Sequence, residues 1–258
     1  MPVVTAAIIT CNEVDHLRDC IASASQLADE VVVCDMESTD GSAELARELG
    51  CKVITHPRMP APDPEARTTV IAAAAGDWIL AFDPDMRISA KTARRLREIA
   101  QNDEADIVAF YLENHYFGRR CRHGHASGPG FRKFFKKSCF RPADVHIERF
   151  MRDSLSGRTL QLGREHPIQH LAYETVAECL DIHIRYARRR AEHAVLQGER
   201  ASVSRMFLRP MKRFVGNYFL RKGCLDGMCG LVVSMVVSMY LFMIEAHVWS
   251  RTRELSQK

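Results

Sequence analysis

With 258 residues, 47% of them hydrophobic, the chain is long enough for one sizeable domain and an appended helical element, and it carries no internal repeat or low-complexity tract. The net charge of +4 is small and gathered in the second half, and no recognition motif accompanies it, which speaks against a nucleic-acid partner. Nine cysteines, an odd number with no Cys-x-x-Cys pair, speak against a disulfide framework or a zinc module and for a reducing compartment.

Val3 to Thr10 is a continuous apolar run with a β-branched bias, and it reads as a strand buried on both faces. It lacks the basic start of a signal peptide, so a cytoplasmic location is expected. The run ends in Cys11-Asn12-Glu13, and a helical stretch follows through Leu17, Cys20 and Ile21. A second strand, Glu30 to Cys34, leads into Asp35 and a polar turn to Gly41, then a helix from Ser42 to Leu49. Ser38, Thr39 and Asp40 are good N-caps for that helix, whose N-terminus favours anions. A third strand, Lys52 to His56, precedes a proline-rich stretch to Pro64, read as a mobile flap, and a small-residue helix, Thr68 to Ala75. Strand, helix, strand, helix, strand is a parallel α/β pattern.

Trp78 to Phe82 is the next strand, and it delivers Asp83 and Asp85 at its C-terminal end, where an open α/β sheet places its ligand. An Asp-x-Asp pair is common in solvated turns. Here, on a strand end, it can hold a divalent cation through hard oxygen ligands, and the cation can clamp a diphosphate.

Three segments in this order, TCNE (Thr10 to Glu13), DMESTDG (Asp35 to Gly41) and GDWILAFDPD (Gly76 to Asp85), resemble the nucleotide-sugar half of family 2 glycosyltransferases. The similarity is closest to the subgroup acting on lipopolysaccharide core and related cell-surface glycans. It implies a GT-A fold: α/β, Rossmann-like, with a mostly parallel central sheet flanked by helices. It also implies that Thr10, Asn12 and Glu13 lie under the nucleobase and ribose and that Asp35 hydrogen-bonds one of them. By the same resemblance, Glu65 and Arg67 face the diphosphate, and Asp83 and Asp85 hold Mg or Mn, with Asp85 the direct ligand and Asp83 also against the nucleotide. The subgroup often has a further acidic residue where this chain has Met86. The plain alternatives are that Asp35 caps a helix, that Asn12 and Glu13 are loop residues and that Arg67 lies on a helix surface.

In the second half, Ala90 to Gln101 reads as an amphipathic helix and Asp106 to Leu112 as another strand. From Arg119 to Arg141 the chain carries eight Arg and Lys and no acid, broken by glycines, which suits a solvated loop or one that binds anionic headgroups or a phosphorylated saccharide. The subgroup usually has His-Glu where this chain has His146-Ile147-Glu148. An inverting transferase needs one base to deprotonate the attacking hydroxyl, and the resemblance implies Glu148 for it, with Asp144 in reserve. The intervening residue, on a strand, would turn the Glu148 side chain to the other face, and a surface ion pair is its plain alternative. His170 resembles a family histidine placed near the metal or diphosphate, although a histidine at a loop–helix junction is often structural.

Glu174 to Arg200 is a long arginine-rich helical pattern, and basic and aromatic residues interleave from Arg205 to Lys222, a composition suited to a membrane interface. Leu231 to Ile244 is apolar but shorter than a span before Glu245 interrupts it, so an interfacial, buried or oligomer-forming helix is expected. The expected organisation is a catalytic domain over 1–172, with a nucleotide-sugar half 1–88 and an acceptor half 89–172, then a helical membrane-facing or oligomerisation element over 173–258. The expected activity is metal-dependent inverting transfer, by a hexosyl- or heptosyltransferase, from a nucleotide diphosphate sugar to a glycan or glycolipid of the cell envelope, at the cytoplasmic membrane surface. Rival readings are a degenerate, non-catalytic sugar-nucleotide or lipid-binding protein and a nucleotidyltransferase. The latter lacks the glycine-rich loop it needs between Thr10 and Asp15.

Overall fold

Side chains alternate across a pleated strand, so a strand buried on both faces must be apolar throughout. The first strand shows this: Ala6 and Ile8 join a core on one face of the sheet, and Ala7 and Ile9 join a core on the other. The computed structural model describes residues 1–58, 64–124, 129–143 and 147–256, with the side chains at 147–149 and 255–256 excepted. In chain order the elements are β1 (Val4–Thr10), α1 (Val14–Ala24), β2 (Glu30–Asp35), α2 (Ser42–Glu48), β3 (Lys52–Thr55), α3 (Pro64–Ala73), β4 (Trp78–Phe82), β5 (Met86–Arg87), α4 (Ala90–Asn102) and β6 (Ile107–Phe110). There follow β7 (Leu112–Tyr116), β8 (Arg119–Cys121), β9 (Phe131–Lys136), α5 (Ile147–Asp153), β10 (Thr159–Gln161), β11 (Ile168–Tyr173), α6 (Val176–Leu196), α7 (Val203–Val215) and α8 (Gly227–Ser256). They form two units, Met1–Leu112 with Pro129–His170, and Glu113–Gly128 with Leu171–Lys258.

The first unit holds a seven-stranded sheet of order β10-β6-β9-β4-β1-β2-β3. All neighbours run parallel except β9, which is antiparallel to both β4 and β6. Helices cover both faces. Leu17 and Ile21 of α1, Leu45 of α2 and Leu96 and Ile99 of α4 pack on one side, and Val70 and Ile71 of α3 and Phe150 of α5 on the other. This is the mostly parallel, helix-flanked GT-A architecture expected from the sequence. Its register aligns Ile8 with Phe82 and Thr10 with Asp35, so the carboxyl ends of β4, β1 and β2 share one edge.

The second unit begins with a hairpin, β7 and β8, that turns through Phe117 (φ 54°) and Gly118 (φ 70°), the left-handed pair a two-residue turn requires. Its helices pack through Ala187, Ala191 and Ala194 of α6 against Tyr240, Ile244 and Val248 of α8.

Five local expectations are corrected. The strand read over 106–112 is two, β6 and β7, separated at Tyr111. The basic segment after Arg119 is not a continuous loop: it contains β8 and the buried central strand β9, with Phe134 and Phe135 fully covered and Phe134 stacked 4.6 Å from Trp78. Several of its cations are consumed internally. Lys136 bonds Asp106 at 2.8 Å, Lys137 bonds the Ala74 carbonyl at 2.6 Å, and Arg132 bonds the Leu155 carbonyl at 3.1 Å. His170 lies on strand β11 rather than at a loop–helix junction, and Glu148 lies in helix α5 rather than on a strand. The N-cap of α2 is Gly41, at φ 90°, not one of the three polar residues before it. Of the apolar C-terminal run, α8 makes a single 30-residue helix, and one such stretch, Gly223–Glu254, is long and apolar enough to cross a membrane by length and composition alone.

Candidate functional site

The loops after β1 and β2 brace one another. The Asn12 amide donates to Ser38 Oγ at 2.9 Å, and Asn12 Oδ1 accepts from the Thr39 amide at 2.7 Å. Asp40 reaches across to accept from the Val14 amide at 2.9 Å, so α1 takes from the neighbouring loop the cap that Glu13, its own N-cap residue, does not supply. The other Asp40 oxygen accepts from the Ser42 amide at 3.0 Å, and Ser42 Oγ accepts from the Glu13 amide at 3.2 Å. Asn12 (φ 57°) and Glu37 (φ 52°) both hold left-handed backbone at this junction. Asn12, Glu13 and the Ser38–Asp40 turn therefore form one braced rim above the ends of β1 and β2.

At these strand ends, three buried polar atoms have no hydrogen-bond partner among the described residues: Thr10 Oγ1, Asp35 Oδ1 and Asp85 Oδ1. Thr10 is 1% exposed and Asp35 4%, and the second Asp35 oxygen accepts from the Ser38 amide at 3.1 Å. Buried polar groups are nearly always paired, so each exception calls for a partner such as ordered water, an ion or a ligand. These three stand at the carboxyl ends of β1 and β2 and on the turn after β4, which are adjacent strands.

That turn is built to present its carboxylates. The Met86 amide donates to the Asp83 carbonyl at 3.0 Å with Pro84 between them, a β-turn that proline pre-sets. Arg87 secures the turn from behind, donating to the Met86 carbonyl at 2.8 Å and to the His16 carbonyl at 2.7 Å. Met86 itself is 5% exposed and belongs to the main core, which explains why an apolar residue occupies the position.

The two carboxylates have different surroundings. Asp83 is gripped on both oxygens, by Arg67 on Oδ1 and by Lys133 Nζ on Oδ2 at 2.8 Å. Arg67 is 6% exposed and also donates to the Phe82 carbonyl at 2.9 Å, and Lys133 is 8% exposed. Burial alone would raise the Asp83 carboxyl, but the adjacent guanidinium and ammonium outweigh it and hold the group well below the usual carboxylate range. Asp85 Oδ2 lies 3.0 Å from His170 Nε2, brought there by the short antiparallel pairing of β5 with β11, which sets His170 opposite Met86. Burial works against charge on His170, but the Asp85 carboxylate raises its pKa above the ordinary value.

Among the described residues no three acidic, histidine or cysteine side chains form a ready metal cluster. Asp85, with one unpartnered oxygen and an imidazole beside the other, nevertheless fits a cation that draws most of its ligands from phosphate oxygens and water, as Mg2+ does.

The structure thus brings Thr10, Asn12, Glu13, Asp35, Arg67, Asp83, Asp85 and His170 to the carboxyl edge of the sheet or its braced loops. Asp144 lies outside the described residues, and of Glu148 only the helical backbone is described. Sequence reasoning missed Lys133, counted among the loop cations, and it treated Asp40 as a local cap. Phe131–Lys136 does not alternate apolar and polar residues, so no period-2 signal marked Lys133 as part of a buried strand.

A model of glycosyl transferase family 2 matches residues 5–155. An uncharacterized glycosyltransferase of Rickettsia typhi is 25% identical over all of this chain and 89% of its own length. A TPR repeat-containing protein of Synechococcus elongatus is 34% identical over 43% of this chain, and an uncharacterized glycosyltransferase of Rickettsia bellii is 32% identical over 42%. The matched regions span only 27% and 36% of those last two relatives. Among solved structures, S. aureus TarS 1–349 superposes over 98% of this chain and 91% of its own, with a TM-score of 0.52 at 14% identity, and has also been solved with UDP and with UDP-GlcNAc. With more than half of its length matched by the family model, and the sheet, strand-end carboxylates and braced loops in place, this chain belongs to glycosyl transferase family 2.

Proposed function

We propose that the protein transfers a sugar from a uridine diphosphate donor to a hydroxyl of a cell-envelope glycan or glycolipid, with inversion at the anomeric carbon. The observation that carries the reading is the row of unpartnered buried polar atoms, Thr10 Oγ1, Asp35 Oδ1 and Asp85 Oδ1, along adjacent strand ends. A nucleoside diphosphate offers what that row lacks: base and ribose donors for Asp35, and phosphates beside Asp85. The UDP complexes of the TarS fold support uridine as the base.

In the reaction, the acceptor oxygen forms the new bond to the anomeric carbon, the bond to the diphosphate oxygen breaks, and the hydroxyl proton passes to a carboxylate. Glu148 is that base, with Asp144 the reserve. Arg67 and Lys133, held around a single carboxylate, leave net positive charge for the departing diphosphate. Asp83 fixes both cations in place. Asp85 and His170, with Asp83 beside them, would hold Mg or Mn, and a bound divalent ion would neutralise charge on the leaving diphosphate. The lipopolysaccharide-core acceptor and the choice between hexose and heptose rest on the sequence resemblance.

The test separates binding from chemistry. Glu148→Gln is expected to bind UDP-sugar as the parent does, within about twofold, while turnover falls by at least about a hundredfold. Turnover at the parental rate would remove Glu148 from the mechanism, and the same measurement on Asp144→Asn would then decide the reserve.

A further inference from the structure

The second unit carries a surface that sugar transfer does not require. None of the residues of α7 is buried, although the helix is rich in large apolar side chains. Phe207, Leu208, Met211 and Val215 are 62%, 47%, 58% and 42% exposed, and their spacing sets them on one face of the helix. Phe219 and Leu220, in the π-helical turn that follows, extend the patch at 58% and 79%. The patch continues onto α8, where the Phe242 ring lies 6.3 Å from that of Phe207. A contiguous apolar patch of this kind marks an interaction site.

Its orientation is fixed from beneath. Glu245 of α8 is 3% exposed and is met by Arg205 at 3.1 Å and Arg209 at 3.4 Å, both from α7. This buried ionic clamp holds the polar flank of α7 against α8 and leaves the apolar flank outward. It also places a buried carboxylate with two arginine partners at the end of the apolar run of α8, half of which is covered within the fold.

The charge around the patch selects its partner. From Arg205 to Leu225 the chain has six Lys and Arg and no Asp or Glu. Lys212, Arg213, Arg221 and Lys222 border the apolar residues. A second copy would bring the same positive border against this one, whereas an anionic lipid surface complements it. An apolar face with basic flanks is the form of a helix that lies in the plane of a bilayer interface. We infer that α7 and the turn after it dock this protein onto an anionic phospholipid bilayer, with Phe207, Met211, Phe219 and Leu220 in the acyl boundary and the flanking cations at the headgroups.

The experiment is sedimentation of the full chain with vesicles of phosphatidylcholine containing phosphatidylglycerol, against vesicles of phosphatidylcholine alone. Binding to the anionic vesicles is expected to be at least about tenfold stronger and to weaken as salt is raised. Leu220→Asp and the pair Lys212→Glu/Lys222→Glu are each expected to lower it by at least about tenfold, with thermal unfolding unchanged because all three side chains are solvent-facing. Equal binding to both vesicles, binding to neither, or retention through alkaline extraction as a spanning helix would overturn the inference. So would a vesicle-free dimer that Leu220→Asp dissociates, which would make a second copy the occupant.

Discussion

At the scale of single residues, Asp83 joins two cations carried by different elements, α3 and β9. Its two oxygens pair with Arg67 and Lys133, both nearly buried. Removing one member of such a group strands the others, a larger loss than the group's net worth. Asp83→Asn is therefore expected to destabilise the protein by about 3 kcal/mol in urea unfolding, and adding Lys133→Met to recover a substantial part of that. A single substitution costing less than about 1 kcal/mol, or a double variant no better than the single, would show that the cations find other partners. Asp83 and Asp85 were legible in the sequence because a strand end with two carboxylates is local information. Lys133 was not, because its partner is 50 positions away and its strand is inserted antiparallel between β4 and β6.

At the scale of elements, the alignment of strand ends depends on close backbone approach where β4 begins. A Cβ on Gly76 would stand 2.7 Å from Thr5 Oγ1 and 2.8 Å from the Val3 carbonyl oxygen, and the backbone there cannot yield cheaply. Gly76→Ala is expected to cost about 2 kcal/mol by the same unfolding assay, and a neutral result would mean that β1 and β4 can slide apart without consequence. Beyond the nucleotide-facing strands, Asp106 ties the start of β6 to the chain entering β10 and to β9. It accepts from Arg158 Nε at 3.2 Å, from Lys136 Nζ at 2.8 Å and from the Arg158 amide at 3.0 Å. The Arg158 and Lys136 side chains, with that amide, hold its carboxyl below the usual range. A carboxyl depressed in the folded state stabilises above its unfolded pKa, about 3.9, and loses that contribution as pH falls below it. The stability gap between the parent and Asp106→Asn should thus be open at about pH 6 and shrink towards about pH 2.5, and a gap that widens on acidification would reverse the assignment. The parallel strands were readable as apolar runs ended by polar residues. The two-residue pairing of β5 with β11, which delivers His170 to Asp85, was unreadable because so short a contact leaves no periodic trace.

At the scale of the whole molecule, the chain divides its labour between two units. The first supplies a sheet whose carboxyl edge gathers unpartnered polar atoms, and the second supplies helices with an outward apolar and basic flank. The charge asymmetry visible in the sequence reflects two different uses. Many of the cations before residue 141 are consumed by carbonyls and carboxylates of the first unit, while Lys212, Arg213, Arg221 and Lys222 border the exposed apolar residues. Composition alone could not separate these uses, because consumption is decided by partners far away in the chain. The central claim is that the strand-end site takes a nucleoside diphosphate. The most direct measurement is calorimetric titration of UDP into the full chain with Mn present, repeated for Asp35→Asn and Asp85→Asn. Binding that each substitution weakens by at least about tenfold, with parental thermal unfolding retained, is the predicted result. UDP binding indifferent to both substitutions, or no binding of uridine, guanosine, adenosine or cytidine diphosphates in any combination with metal, would contradict it.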